Sequence, residues 1–247
     1  MPNPSARARE KPESTQPPVA PPPIVAPIFN LPAADKLNQN DTPNSVIAKA
    51  RIIRLNGQVG QEMANAAIND LLYFEAMEPG KPITMLINSP GGYVSHGWAI
   101  IDMMNMISSP VHTVAIGRVA SMGATILLAG EKGHRSATPN ASIMIHEPSN
   151  SGISGQADDV EIGSDELKHT KARMLAFYAM TSGTSASVLK TKMGRDYTMY
   201  PVEALELGII DKIAGFPACK ADFNAAAQKS NEAHLANNKR RSEPEPA

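Results

Sequence analysis

One cysteine, Cys219, in 247 residues excludes an intramolecular disulfide framework. The fold must be held by packing alone, which fits a reducing compartment. Charge of one sign is also missing: the formal net charge is −1, so nothing draws the chain in bulk towards nucleic acid or anionic membranes. No apolar run approaches the roughly 18 residues of a membrane span. The first residues lack a charged start, an apolar core and a small-residue cleavage site, so secretion is not expected. Arg7, Arg9 and Lys11 alternate with Glu10 and Glu13 among prolines, which also argues against a helical mitochondrial presequence. A cytoplasmic location fits best. The phosphate loop Gly-x-x-x-x-Gly-Lys-[Ser/Thr] is absent, so any ATP chemistry must come from another protein. No His/Cys/Asp cluster has metal-ligand spacing, and no cofactor is called for.

Proline is present but uneven. Ten of the 21 prolines lie between Pro2 and Pro32, which forbids helix or central strand there. Residues 1–45 read as a proline-rich arm, 46–218 as the folded domain and 219–247 as a flexible polar tail, with a short helix around Phe223–Ala236. The basic triplet Lys239-Arg240-Arg241 reads as a solvated patch. In between, 42% hydrophobic composition allows a sizeable core.

Strands alternate with helices through that domain. Strands are expected at Ala50–Leu55, Pro82–Ile87, Val111–Ile116 and Ala141–Ile145, with a last one starting at Ile209. Helices are expected at Gly60–Met77, Trp98–Ile107, Ser121–Leu128, Gln156–Met180, Ser185–Lys192 and from Pro201 to Gly208. On the first helix Met63, Ala66, Ile68, Leu71, Leu72 and Phe74 are the apolar positions. On the long one they are Val160, Ile162, Leu167, Met174, Leu175 and Tyr178. The alternation implies an α/β domain with largely parallel pairing.

Two glycine-flanked junctions stand out: Ile87-Asn88-Ser89-Pro90-Gly91-Gly92 and Gly117-Arg118-Val119-Ala120-Ser121-Met122-Gly123-Ala124. Each ends a strand and opens a helix, where backbone N–H groups and the helix dipole favour negative charge. Ser121 is therefore a candidate nucleophile, although serine is also a common helix N-cap. The N–H of Met122 and that of Gly92 are candidate oxyanion donors. There is no Gly-x-Ser-x-Gly elbow. Of the six histidines, His146 alone terminates a buried strand, where parallel sheets place reacting groups. An ordinary loop histidine is the alternative. A third group must orient the imidazole. Asp196 follows a short helix, but Asp158, Asp159, Asp165 and Asp211 compete, and spacing does not choose among them.

The segments Leu55–Val59, Met85–Gly92, Ala120–Ala124, Pro139–Pro148, Gly155–Ala157 and Arg195-Asp196 resemble, in order and spacing, the Clp protease proteolytic subunit (ClpP) family. The resemblance covers about residues 45–215. It implies a ClpP/crotonase-type fold of repeated β-β-α units and a Ser121/His146/Asp196 triad with Gly92 and Met122 as oxyanion donors. It further implies two stacked seven-membered rings enclosing the serines. Ser149 to about Asp165 would form the handle between rings: a loop, a short strand and the start of the long helix. The strand in Gly152–Gln156 (Gly152, Ile153, Ser154, Gly155) would capture peptide as an added strand, with Gly91 also binding substrate. The expected activity is serine endopeptidase action on unfolded polypeptides and short peptides, in ATP-dependent proteolysis and protein quality control. An ATP-dependent unfoldase would feed it.

The chain departs from the family at several points. Thr84 and Leu86 stand where members carry aromatics that line the unfoldase-docking pocket, and Met106 where they carry phenylalanine. Gly194 stands where many have a ring-interface glutamate. The arm and tail are longer than usual. These departures suit a phage-type processing protease, active in capsid maturation without an unfoldase, as an alternative setting.

Overall fold

The structure is a computed structural model that describes residues 31–215 and 221–242. Short runs of branched apolar residues make the strands, and their alternation sets which faces are buried. In β2 (Ile83–Ser89) the positions Ile83, Met85, Ile87 and Ser89 are buried and their neighbours are not. β1 (Ile52–Asn56), β2 and β3 (Val111–Ala120) pair in parallel, with Ile53 opposite Met85 and Met85 opposite Thr113. The far side of β3 is shared in turn by β4 (Ser136–Ala137) and β5 (Ser142–Ile145). β7 (Lys212–Ile213) extends the sheet from β4. β6 (Tyr197–Met199) pairs with β5 and is the one antiparallel neighbour among the described strands. The fold is thus α/β with a mostly parallel sheet, as the alternation of elements implied.

Helices cover the sheet because each presents an apolar stripe. α2 (Gln61–Met77) buries Ala64, Ala67, Leu71 and Phe74. That stripe is rotated from the expected one: Leu72 is 47% exposed and Met63 only partly buried. α3 (Val94–Met106) buries Trp98, Ile100, Ile101 and Met104. α4 (Met122–Leu128) is buried along its whole length, which is what an all-apolar helix demands. α5 (Ala157–Ser182) buries only Met174 and Tyr178. α6 (Ala186–Met193) and α7 (Pro201–Glu206) carry the chain to β7.

Three features differ from expectation. Gly117 bends β3 rather than ending it. With φ +60 at that glycine, the register moves from Ile87 opposite Ala115 to Ser89 opposite Val119, a bulge that re-aims the strand. Across the expected boundary between arm and domain at residue 45, α1 (Pro43–Lys49) opens on a Thr42–Ser45 capping box with proline at its first turn. α8 (Ala221–Ser242) is longer than the expected Phe223–Ala236 helix. It is not a loose tail, since Ala227, Asn231 and Leu235 are buried and the Asn231 amide donates to the Pro139 carbonyl at 2.8 Å. Cys219 and most of the proline-rich arm lie outside the described residues.

Candidate active site

Adjacent strand ends build the site. Ala120 is opposite Met144 in the β3–β5 ladder, and Ile145 is opposite Tyr197 in the β5–β6 ladder. One step further on each strand brings Ser121, His146 and Asp196 side by side. The Ser121 N–H continues the ladder by donating to the Met144 carbonyl at 2.8 Å. The Ser121 backbone has φ 53 and ψ −122, a conformation that costs a non-glycine residue about 1–3 kcal/mol. Ser121 occupies the N-cap position of α4, yet its side chain makes no capping bond. Its Oγ lies 2.7 Å from His146 Nε2 instead. His146 Nδ1 lies 3.2 Å from Asp196 Oδ1. Serine, base and orienting carboxylate therefore form one continuous chain.

The competing residues are elsewhere. Asp211 pairs with Arg135 at 2.6 Å, Asp165 with Lys168 at 2.8 Å, and Asp159 accepts from the Gln156 N–H at 3.1 Å. The rings of His112 and His134 stack on each other 4.0 Å apart. Burial, and then the charges of His134 and Lys212, bring His112 down to about 4, so it is neutral at pH 7.

The Gly91-Gly92 turn is pressed against the serine. A side chain at Gly91 would come within 2.6 Å of Ser121 Cβ and 3.0 Å of Met122 N, so only glycine fits. Gly91 is held by its N–H to the buried Ser89 hydroxyl at 3.1 Å and by its carbonyl, which accepts from Val59 N–H at 2.8 Å. Tyr93 N–H in turn donates to the Val59 carbonyl at 2.9 Å. These two bonds make a parallel bridge between Val59 and Gly92, in which the N–H of Gly92 itself faces the other way. Among the described residues, no intrachain acceptor takes the N–H of Gly92 or of Met122. Two backbone donors beside a strained serine are the elements of an oxyanion site.

Gly152, Ile153, Ser154 and Gly155 do not form the expected strand. A strand's backbone groups need a partner, and within one chain this segment finds α5: a side chain at Gly163 would touch Ile153 Cγ2 at 2.8 Å. An open hollow of about 440 Å³ lies beside the triad, lined by His146, Pro148, Met193, Arg195 and Asp196 among others. Of the positions where the chain departs from the family's aromatics, Thr84 and Leu86 are half-buried, and Met106 is 78% exposed at the end of α3.

Sequence reasoning missed the supports. Ser89 and Met144 lie inside the quoted segments but nothing local marks them as supports, and the Tyr197–Glu203 contact beside Asp196 lies outside every motif. The β3–β5 ladder places the Met144 carbonyl at Ser121, and the β5–β6 pairing places Tyr197.

A mostly parallel α/β sheet with a serine–histidine–aspartate chain at its strand ends defines a hydrolase-type site. The chain matches the Clp protease family over residues 35–216, and it belongs to that family of peptidases.

Proposed function

We propose that the protein is a serine endopeptidase, the proteolytic subunit of a Clp-type compartmental protease that hydrolyses unfolded polypeptides and short peptides. The observation that carries this is the continuous Ser121–His146–Asp196 chain, with contacts of 2.7 and 3.2 Å, on a strained serine. His146 Nε2 takes the proton of Ser121 Oγ as the oxygen attacks the peptide carbonyl. The N–H groups of Gly92 and Met122 hold the oxyanion. Asp196 keeps Nδ1–H oriented and stabilises the imidazolium. That imidazolium protonates the leaving amine, and His146 then activates the water that frees Ser121. Gly91 and the Gly152–Gly155 segment clasp the substrate backbone as an added strand, which suits a protease accepting many sequences. The working form is a homo-oligomer of stacked heptameric rings with α5 at the contact, and an ATP-dependent unfoldase supplies substrate.

The non-aromatic Thr84, Leu86 and Met106 favour a second reading, a self-contained phage-type processing protease that needs no unfoldase. Intact peptidase activity without unfoldase capture in a pull-down selects that reading.

Incubating the assembled protein with a fluorophosphonate probe and mapping the label by mass spectrometry tests the site. Label at Ser121 alone, lost together with short-peptide hydrolysis in Ser121→Ala, is the expected result. Hydrolysis that survives Ser121→Ala rejects the assignment.

A further inference from the structure

Asp196 is an exposed carboxylate with a demanding position. Its side chain is 73% exposed, and among the described residues only His146 holds it. Its place depends on the backbone of β6, a strand of three residues. One edge of β6 is paired with β5. What keeps so short a strand in register is the next residue, Tyr197. The Tyr197 hydroxyl donates to Glu203 Oε1 on α7 and accepts from Lys192 Nζ on α6. Lys192 Nζ also sits 4.0 Å over the Tyr197 ring and 3.5 Å from Glu203. Glu203 is 4% exposed, and a buried carboxylate of this kind must have its lone pairs filled. Its second oxygen accepts from the Asn238 amide of α8 at 3.0 Å. Asn238 in turn lies 3.0 Å from His234 Nε2, and the His234 ring stands edge-on to Tyr200 at 4.6 Å.

We infer that Tyr197 and Glu203 are positioning residues for the reaction, fixing Asp196 on His146, and that helix α8 completes this support through Asn238. The inference rests on the peptidase reading of Ser121, His146 and Asp196. The anchor is directional. Asp196 directly precedes Tyr197 at the start of β6, and successive residues of an extended chain point to opposite sides. Fastening the tyrosine inward on Glu203 therefore turns the aspartate outward towards His146. Burial, and then the Glu203 carboxylate, raise the Tyr197 hydroxyl far above its ordinary value, so it remains a neutral donor across the working pH range. α8 thereby couples the C-terminal end of the chain to the site.

The test is a double-mutant cycle read by the rate at which a fluorophosphonate modifies Ser121 in the assembled protein. Modification can be followed for hours, so slow variants stay measurable. Tyr197→Phe keeps the ring and removes only the anchor. It is expected to slow labelling about tenfold to a hundredfold, the scale of a displacement near 1 Å. In an Asp196→Asn background the same change is expected to cost less than about twofold, because residues acting as one unit are not additive. Asn238→Ala, which does not touch β6, is expected to slow labelling severalfold, again only while Asp196 is present. Equal losses in both backgrounds would mean that Tyr197 merely stabilises the fold, and would overturn the inference. So would unchanged labelling in both Tyr197→Phe and Asn238→Ala. If Asp196→Asn itself labels at the wild-type rate, the triad reading fails and the inference falls with it. That outcome is distinct, because it shows in the Asp196 variant alone.

Discussion

At the residue scale, one backbone conformation and one missing side chain set the geometry of the candidate site. Ser121 at φ 53 is forced outward by the β3–β5 ladder and the start of α4, and Gly91 fills the space beside it. Gly91→Ala would set a methyl 2.6 Å from Ser121 Cβ and 2.8 Å from the Ala120 carbonyl, at a backbone φ of +93. The turn must back away, and Gly92 moves with it. The expected outcome is at least a hundredfold slower fluorophosphonate labelling of Ser121, the scale for loss of an oxyanion donor. Labelling kinetics against the thermal midpoint measures this, and wild-type labelling in a folded variant would remove Gly91 from the site. Ser121 and His146 were legible because each sits at a glycine-rich or apolar strand end, a local pattern. Asp196 was not legible that way. It follows α6 like any loop aspartate, and only the antiparallel β5–β6 pairing places it beside His146. The family resemblance supplied what spacing did not.

At the element scale, the sheet is pinned at its far end by charge. β4 and β7 are two residues each, too short to hold by ladder bonds alone. Between them Arg135, with its side chain 3% exposed, forms a forked pair with Asp211 at 2.6 and 2.8 Å. Asp211 also accepts from the N–H groups of Gly133 and Arg135. Burial raises the Asp211 carboxyl, but the Arg135 guanidinium and the two N–H groups outweigh it, so it lies below its ordinary 3.8. A depressed carboxyl stabilises the fold above the unfolded value and loses that contribution as pH falls through the folded one. Asp211→Asn strands a buried guanidinium, and the expected cost at pH 7 is about 3 kcal/mol. Its deficit against wild type should shrink below pH 3.8. Chemical denaturation at pH 7 and pH 3 checks both, and an equal deficit at the two pH values would refute the account. Elements escaped sequence reading for a related reason. β4, β6 and β7, at two or three residues each, are too short to show a repeated alternation. α8 has its inward stripe at Ala227, Asn231 and Leu235, where the central asparagine is buried only because the Pro139 carbonyl waits for it. A buried polar residue of this kind breaks the pattern that would announce a docked helix.

At the scale of the whole molecule, the chain leaves apolar surface uncovered. Along α5, Val160 is 40% exposed, Ile162 59% and Met180 79%. The sequence marks Val160, Ile162 and Leu167 as apolar positions without saying which face they meet, because a stripe that meets another chain has the same pattern as one that meets its own core. β1 is an edge strand of the sheet, and an open hollow of about 830 Å³ runs along it between Ile53 and Asp70. Unpaired edges and exposed apolar helices are features that a lone domain avoids. They are consistent with family membership and with a site completed by assembly, since Gly152–Gly155 has no strand partner among the described residues. Ile162→Asp places a charge on the exposed stripe and removes nothing from the intrachain core. The expected outcome is a smaller species in sedimentation velocity, with slower Ser121 labelling in proportion to the fraction dissociated. Wild-type sedimentation in that variant would show that this stretch of α5 faces solvent in the working protein and would remove it from the proposed subunit contact.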